Sequence, residues 1–142
     1  MKLFSKIALS LLVMVSVTAC IQSKQTQHEN LARIKNQEQN YKAKDLSELL
    51  KQLPDMKSVS TFKDFPQKGI ISLRIAFLKD KDFHQEVNLN KNPPHIVVYT
   101  EQNPNRPVEI SDDKGSEDLN MKEAITKYGN LKIIAVHTVI SQ

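Results

Sequence analysis

The sequence predicts an α+β domain: two helices packed on one face of a small, mostly antiparallel sheet of four or five strands. Three observations lead there. Two segments repeat apolar residues at i, i+3, i+4 and i+7, several others alternate with period two, and the connections between them are short and rich in Pro, Asn and Asp. The order of elements is helix, three strands in a meander, a short strand, helix, strand, which suits antiparallel pairing.

The first helix is predicted over Asp45–Leu53. Leu46, Leu49, Leu50 and Leu53 form one face, Asp45 and Glu48 have the spacing of a capping box, and Pro54 closes the segment. A loop runs from there through Pro66 and Gly69 and carries Phe62 and Phe65, two aromatics outside any periodic run. Their place in a loop makes them the candidate partner-binding residues. Ile70–Lys79 alternates Ile71, Leu73, Ile75 and Phe77 with Ser72, Arg74 and Ala76, the period of a half-buried strand. Lys79–Asp82 then reads as a charged turn and Phe83–Asn90 as a weaker partner strand through Val87 and Leu89.

His95–Thr100 (HIVVYT) is a β-branched and aromatic strand. Two prolines make 103–107 a loop, Val108–Ile110 is a candidate short edge strand, and Asp112–Asp118 reads as a solvated acidic turn. The second helix is predicted over Asn120–Tyr128. Met121, Ala124, Ile125 and Tyr128 form its stripe, Asn120 and Glu123 a capping pair, and Gly129 its stop. Leu131–Ile140, long and mostly apolar, is expected at the centre of the sheet. Residues 45–142 are thus one domain.

The N-terminal part has a different character. Lys2 and Lys6 precede thirteen uncharged residues, Ile7–Ala19, a run shorter than the roughly 20 that span a bilayer. A basic start, a brief apolar core and small residues before a cut are the physical pattern of a secretory signal. It ends in Val17-Thr18-Ala19-Cys20, which resembles the lipobox of bacterial lipoproteins. The resemblance covers residues 1–20 only. It implies cleavage between Ala19 and Cys20, a diacylglycerol on the Cys20 sulfur, and a membrane partner reached through the acyl chains. Two or three chains anchor firmly where one does not. Ile21, in place of an inner-membrane retention aspartate, implies the outer membrane, facing the periplasm.

Residues 20–44 are expected to be the lipidated cysteine and a polar tether, with a reach of roughly 27 Å for a flexible chain of that length. Leu31, Ala32 and Ile34 are its few apolar anchors, and a helix packed on the domain is the alternative.

Charge and motifs restrict the function. Removal of Lys2 and Lys6 takes the formal charge from +4 to about +2, with no basic stripe interleaved with aromatics, so nucleic acid is not an expected partner. The single cysteine serves the anchor, and three isolated glycines build no phosphate loop. His28, His84, His95 and His137 lack a ligand spacing, although His95 and His137 could meet across paired strands. No metal and no cofactor is expected. The reading that follows is a non-catalytic anchored domain that binds another envelope protein, as a machine subunit or as an inhibitor or immunity protein. The alternatives are a cell-wall hydrolase working through carboxylates such as Glu86, Glu101 or Glu109, and a small-ligand binder.

Overall fold

A computed structural model describes residues 22–63, 69–110 and 115–141. The domain is α+β and built on one open, five-stranded, wholly antiparallel sheet. In chain order the strands are β1 (Ser58–Phe62), β2 (Ile71–Ala76), β3 (His95–Glu101), β4 (Gly115–Asp118) and β5 (Lys132–Val139), and they lie side by side as β4-β1-β2-β3-β5. The helices are α1 (residues 22–36), α2 (Leu46–Leu50), α3 (Asp80–Asn88) and α4 (Met121–Tyr128), with a 3₁₀ turn at Glu38–Tyr41.

Register sorts the strand residues onto two faces. Rows Val59–Ile75–Ile96–Thr138, Thr61–Leu73–Val98–Val136 and Ile71–Thr100–Ile133 make the core face. Against them pack Leu31 and Ile34 of α1, the leucines of α2, and Ala124 and Tyr128 of α4. Three helices therefore share this face, one more than the sequence predicts. Helix α3 lies on the other.

The segment expected to be a tether is part of the domain. Helix α1 runs to residue 36, and Leu31 and Ile34 are each 1% exposed in the core. Its inner face also carries Gln27 and Asn30, which hides the stripe from a pattern that looks only for apolar residues. Arg33 donates to Gln52 at 3.2 Å and ties α1 to the chain just past α2.

Helix α2 keeps its buried leucines, Leu46, Leu49, Leu50 and Leu53, but is shorter than expected and does not form the capping box. Its first amides are satisfied by the sheet side instead: Leu46 N–H donates to the Leu131 carbonyl at 2.8 Å and Ser47 N–H to that of Gly129 at 3.0 Å. The Asp45 carboxylate is thereby free to take Lys132 at 2.7 Å and Arg106 at 2.9 Å, and Lys132 first, then Arg106, hold its carboxyl below the usual range against the effect of burial. Helix α4 forms as predicted, with the reciprocal Asn120–Glu123 capping box at 2.8 and 3.0 Å. Gly129 ends it. A Cβ there would lie 2.4 Å from the Ile125 carbonyl oxygen and 3.2 Å from the Ser47 Cβ, so the last turn of α4 excludes a side chain and α2 crowds the same spot.

Four further expectations change. Ser58–Phe62 is a strand, not a loop, and its pairing on both sides places Phe62 on the sheet. Phe83–Asn90 is not a strand. Asp80 and Asp82 in the first turn favour a helix N-terminus, and Phe83 and Val87 stand one helical turn apart on α3. Val108–Ile110 forms no strand; the Gln102 side-chain amide takes both Val108 backbone groups, at 2.7 and 2.8 Å. Gly115–Asp118, the described end of the acidic stretch, is the edge strand β4.

Strand β5 is the other edge rather than the centre. Its apolar run is accommodated by a register shift opposite Tyr99 and Thr100, which leaves Ile134 as an extra residue and breaks the alternation. The chain covers this edge itself. Ala43 N–H donates to Ile133 O, Ile133 N–H donates to Lys44 O, and the Glu38 carboxylate accepts the Thr138 N–H at 2.6 Å. Ala43 takes a positive φ of 65° to make that contact. Where its backbone groups are taken up in this way, at Ile133 and Thr138, the edge resists pairing with other chains.

Candidate partner-binding surface

The second face of the sheet carries three rows: Ser58–Ala76–His95–Val139, Ser60–Arg74–Val97–His137 and Phe62–Ser72–Tyr99–Ala135. Edge strand β4 extends the first two with Asp118 and Ser116. Strict alternation in β2 and β3 puts Arg74, His95 and Tyr99 on this face, because their neighbours Leu73, Ile75, Ile96 and Val98 belong to the core.

Helix α3 is fastened over the first two rows by a polar network. The Arg74 guanidinium donates to Ser60 Oγ at 2.7 Å and to Asp80 Oδ1 at 3.2 Å, while the Phe83 ring covers it at 4.0 Å. Burial pushes the Arg74 pKa down and Asp80 opposes that effect. The Ser116 hydroxyl donates to the same Asp80 oxygen, and the Asp80 N–H donates to Asp118 Oδ1 at 2.9 Å. His84 Nε2 stands 3.4 Å from Asp80 Oδ1 as well. In a nucleophilic relay the imidazole lies between serine and carboxylate. Here Ser116 and His84 meet on one carboxylate oxygen, an arrangement that braces the helix on the sheet.

His95 and His137 do fall on this one face, in adjacent rows of paired strands. His95 Nδ1–H donates to the Pro93 carbonyl at 2.8 Å, and its ring meets the Phe83 edge at 5.4 Å between centroids. Burial lowers its pKa from the ordinary 6.5; the Pro93 bond opposes, and Arg74 and His137 add to the lowering. The folded chain therefore binds fewer protons here than the unfolded chain just below pH 6.5, and stability rises with pH through that window. Denaturant unfolding between about pH 8 and pH 5 should show stability falling as pH drops below 6.5. His95→Gln should flatten that slope, and an unchanged slope would assign it elsewhere.

The third row is where the sheet offers an aromatic surface. Phe62 is half-buried on β1, Tyr99 is 40% exposed on β3, and the small Ser72 sits between them in register. Tyr99 was not among the residues singled out by sequence, although the alternation of HIVVYT places it opposite the core. Phe65, Ala19 and Cys20 lie outside the described residues.

The carboxylates considered for hydrolysis are on separate elements. Glu86 on α3 pairs with Lys91 at 3.0 Å, Glu101 faces Lys132 across the β3–β5 ladder, and Glu109 is exposed in the stretch after Pro107. Among the described residues, no three His, Cys, Asp or Glu side chains are grouped to hold a metal ion. His28 on α1 lines a cleft of about 1000 Å³, opposite Glu86 and Lys91. Among the described residues, no helix is long and apolar enough to cross a membrane. In comparisons with known proteins, no family model, no curated protein and no solved structure matches this chain.

Proposed function

We propose that the chain is a bacterial envelope lipoprotein, anchored through acyl chains on Cys20, which acts without catalysis by binding another envelope protein. The observation that carries this reading is Val17-Thr18-Ala19-Cys20 at the end of a basic and then apolar leader. The outer membrane, facing the periplasm, is its proposed place, and Phe62 with Tyr99 its proposed contact. Support for a binding role comes from the second sheet face. Arg74 and Asp118 on that face are engaged in holding α3, while the third row carries the exposed Tyr99 and the half-buried Phe62. Aromatics on a rigid sheet make contact area at low entropic cost.

The test is crosslinked capture of the lipidated protein from its own envelope, alongside the Tyr99→Ser variant. The expected result is a stoichiometric partner that the variant captures much less well. The partner's identity separates a machine subunit from an inhibitor or immunity protein. Capture that is empty, or indifferent to Tyr99, contradicts the proposed contact.

A further inference from the structure

Helices α1 and α3 belong to opposite faces of the sheet, and a cleft of about 1000 Å³ opens between them at the end where β2 and β5 finish and β3 begins. That volume is the size of a small-ligand site rather than of a packing fault. Each helix lines it with a triplet at i, i+3 and i+4, the spacing of one helical face. On α1 the triplet is Lys24, Gln27 and His28; on α3 it is Asp82, Gln85 and Glu86. The triplets correspond position by position, a group that donates against a carboxylate and an amide against an amide.

The two walls do not neutralise each other. Among the described residues no ion pair joins α1 to α3, and neither Lys24 nor Asp82 belongs to any ion pair. Glu86 takes Lys91 at 3.0 Å, from its own side of the cleft. The floor between the walls is apolar, with Leu31 1% and Phe77 7% exposed. Opposite charges thus face across a space with a greasy base.

We propose that this cleft binds a short peptide with both termini free, its amine toward Asp82 and its carboxylate toward Lys24 and His28. Charge complementarity carries the choice of ligand. A ligand of one sign meets its like on one of the walls, whereas a peptide with free ends satisfies both. Glutamine has a donor and an acceptor, so Gln27 and Gln85 match the peptide groups between those ends. The floor takes apolar side chains. A sugar would need an exposed ring to stack on, and Phe77 is buried. The site makes no use of Cys20, so it stands apart from the proposed anchor.

Tetraalanine is the probe, titrated into the full chain in mild detergent and followed by NMR through the side-chain amide signals of Gln27 and Gln85. The expected result is a saturable shift of both signals. Acetylating the amine or amidating the carboxylate should each weaken binding about two- to fivefold, the usual worth of one exposed charge contact. Asp82→Asn should penalise only peptides with a free amine, and Lys24→Gln only those with a free carboxylate. Both residues are exposed, so the variants keep the fold. The absence of a saturable shift overturns the proposal, and so does equal binding of the peptide blocked at both ends. Shifts that both variants leave unchanged would place the peptide elsewhere and overturn it as well.

Discussion

Ile34→Ala should lower the unfolding free energy by about 2–4 kcal/mol, the usual cost of emptying a fully buried aliphatic site. Ile34 is 1% exposed and packs in the same cluster as Leu49 and Ile96. A residue in a flexible tether has no such cost, so the experiment separates a docked helix from a leash. Lys35→Ala, on the exposed side of α1, is the control and should change stability by no more than about 0.5 kcal/mol. Denaturant unfolding of the mature chain reads both values. An Ile34→Ala midpoint equal to that of Lys35→Ala would return residues 22–36 to the tether.

The second large effect is expected at Asp80. This carboxylate receives Arg74, Ser116 and His84, and Asp80→Ala leaves a half-buried guanidinium without its anion. Removing one partner of a fully buried pair costs about 3–5 kcal/mol; with side-chain exposures of 15% for Arg74 and 28% for Asp80, solvent screening brings the expectation to about 1–3 kcal/mol. The loss should be local. Amides of α3 should exchange with solvent faster while those of β2 and β3 keep their protection. The double variant Arg74→Met, Asp80→Asn should be less destabilised than Asp80→Ala, because no charge is left unmatched. A double variant at least as unstable as the single one would show that packing, not charge, holds α3 down.

The parts of the fold legible in the sequence are those where one periodicity acts alone. Helix α4 carries its stripe, capping box and terminal glycine within ten residues, and β2 and β3 alternate cleanly. The misread parts are those where tertiary partners replace local signals. The inner face of α1 mixes Gln27 and Asn30 with Leu31 and Ile34, so its amphipathicity is weak until the core is present. Phe83, Val87 and Leu89 permit a period of two, and the acidic first turn decides for the helix. β5 looks central because its apolar run includes adjacent Ile133 and Ile134, which a register shift accommodates, and part of its edge is covered by Glu38, a hundred residues away in the chain. Asp45 has the spacing of a cap but is drawn to Lys132 and Arg106, contacts that no local window contains. In the candidate site, Phe62 was legible as an aromatic and not as a strand residue. Alternation along HIVVYT already turns Tyr99 away from the core, but only the register sets it in one row with Phe62.

Together these elements describe an α+β domain with helix α1 docked on its core and an aromatic row on the opposite sheet face, and the proposed function adds a lipid anchor ahead of that helix. That account depends most on Cys20. The measurement that tests it directly is the intact mass and N-terminal sequence of the protein extracted from its own membranes. The account predicts a chain beginning at Cys20 with a diacylglycerol on its sulfur, and loss of both cleavage and lipid in Cys20→Ser. A chain that begins elsewhere, or one that carries Cys20 as a free thiol, would contradict it.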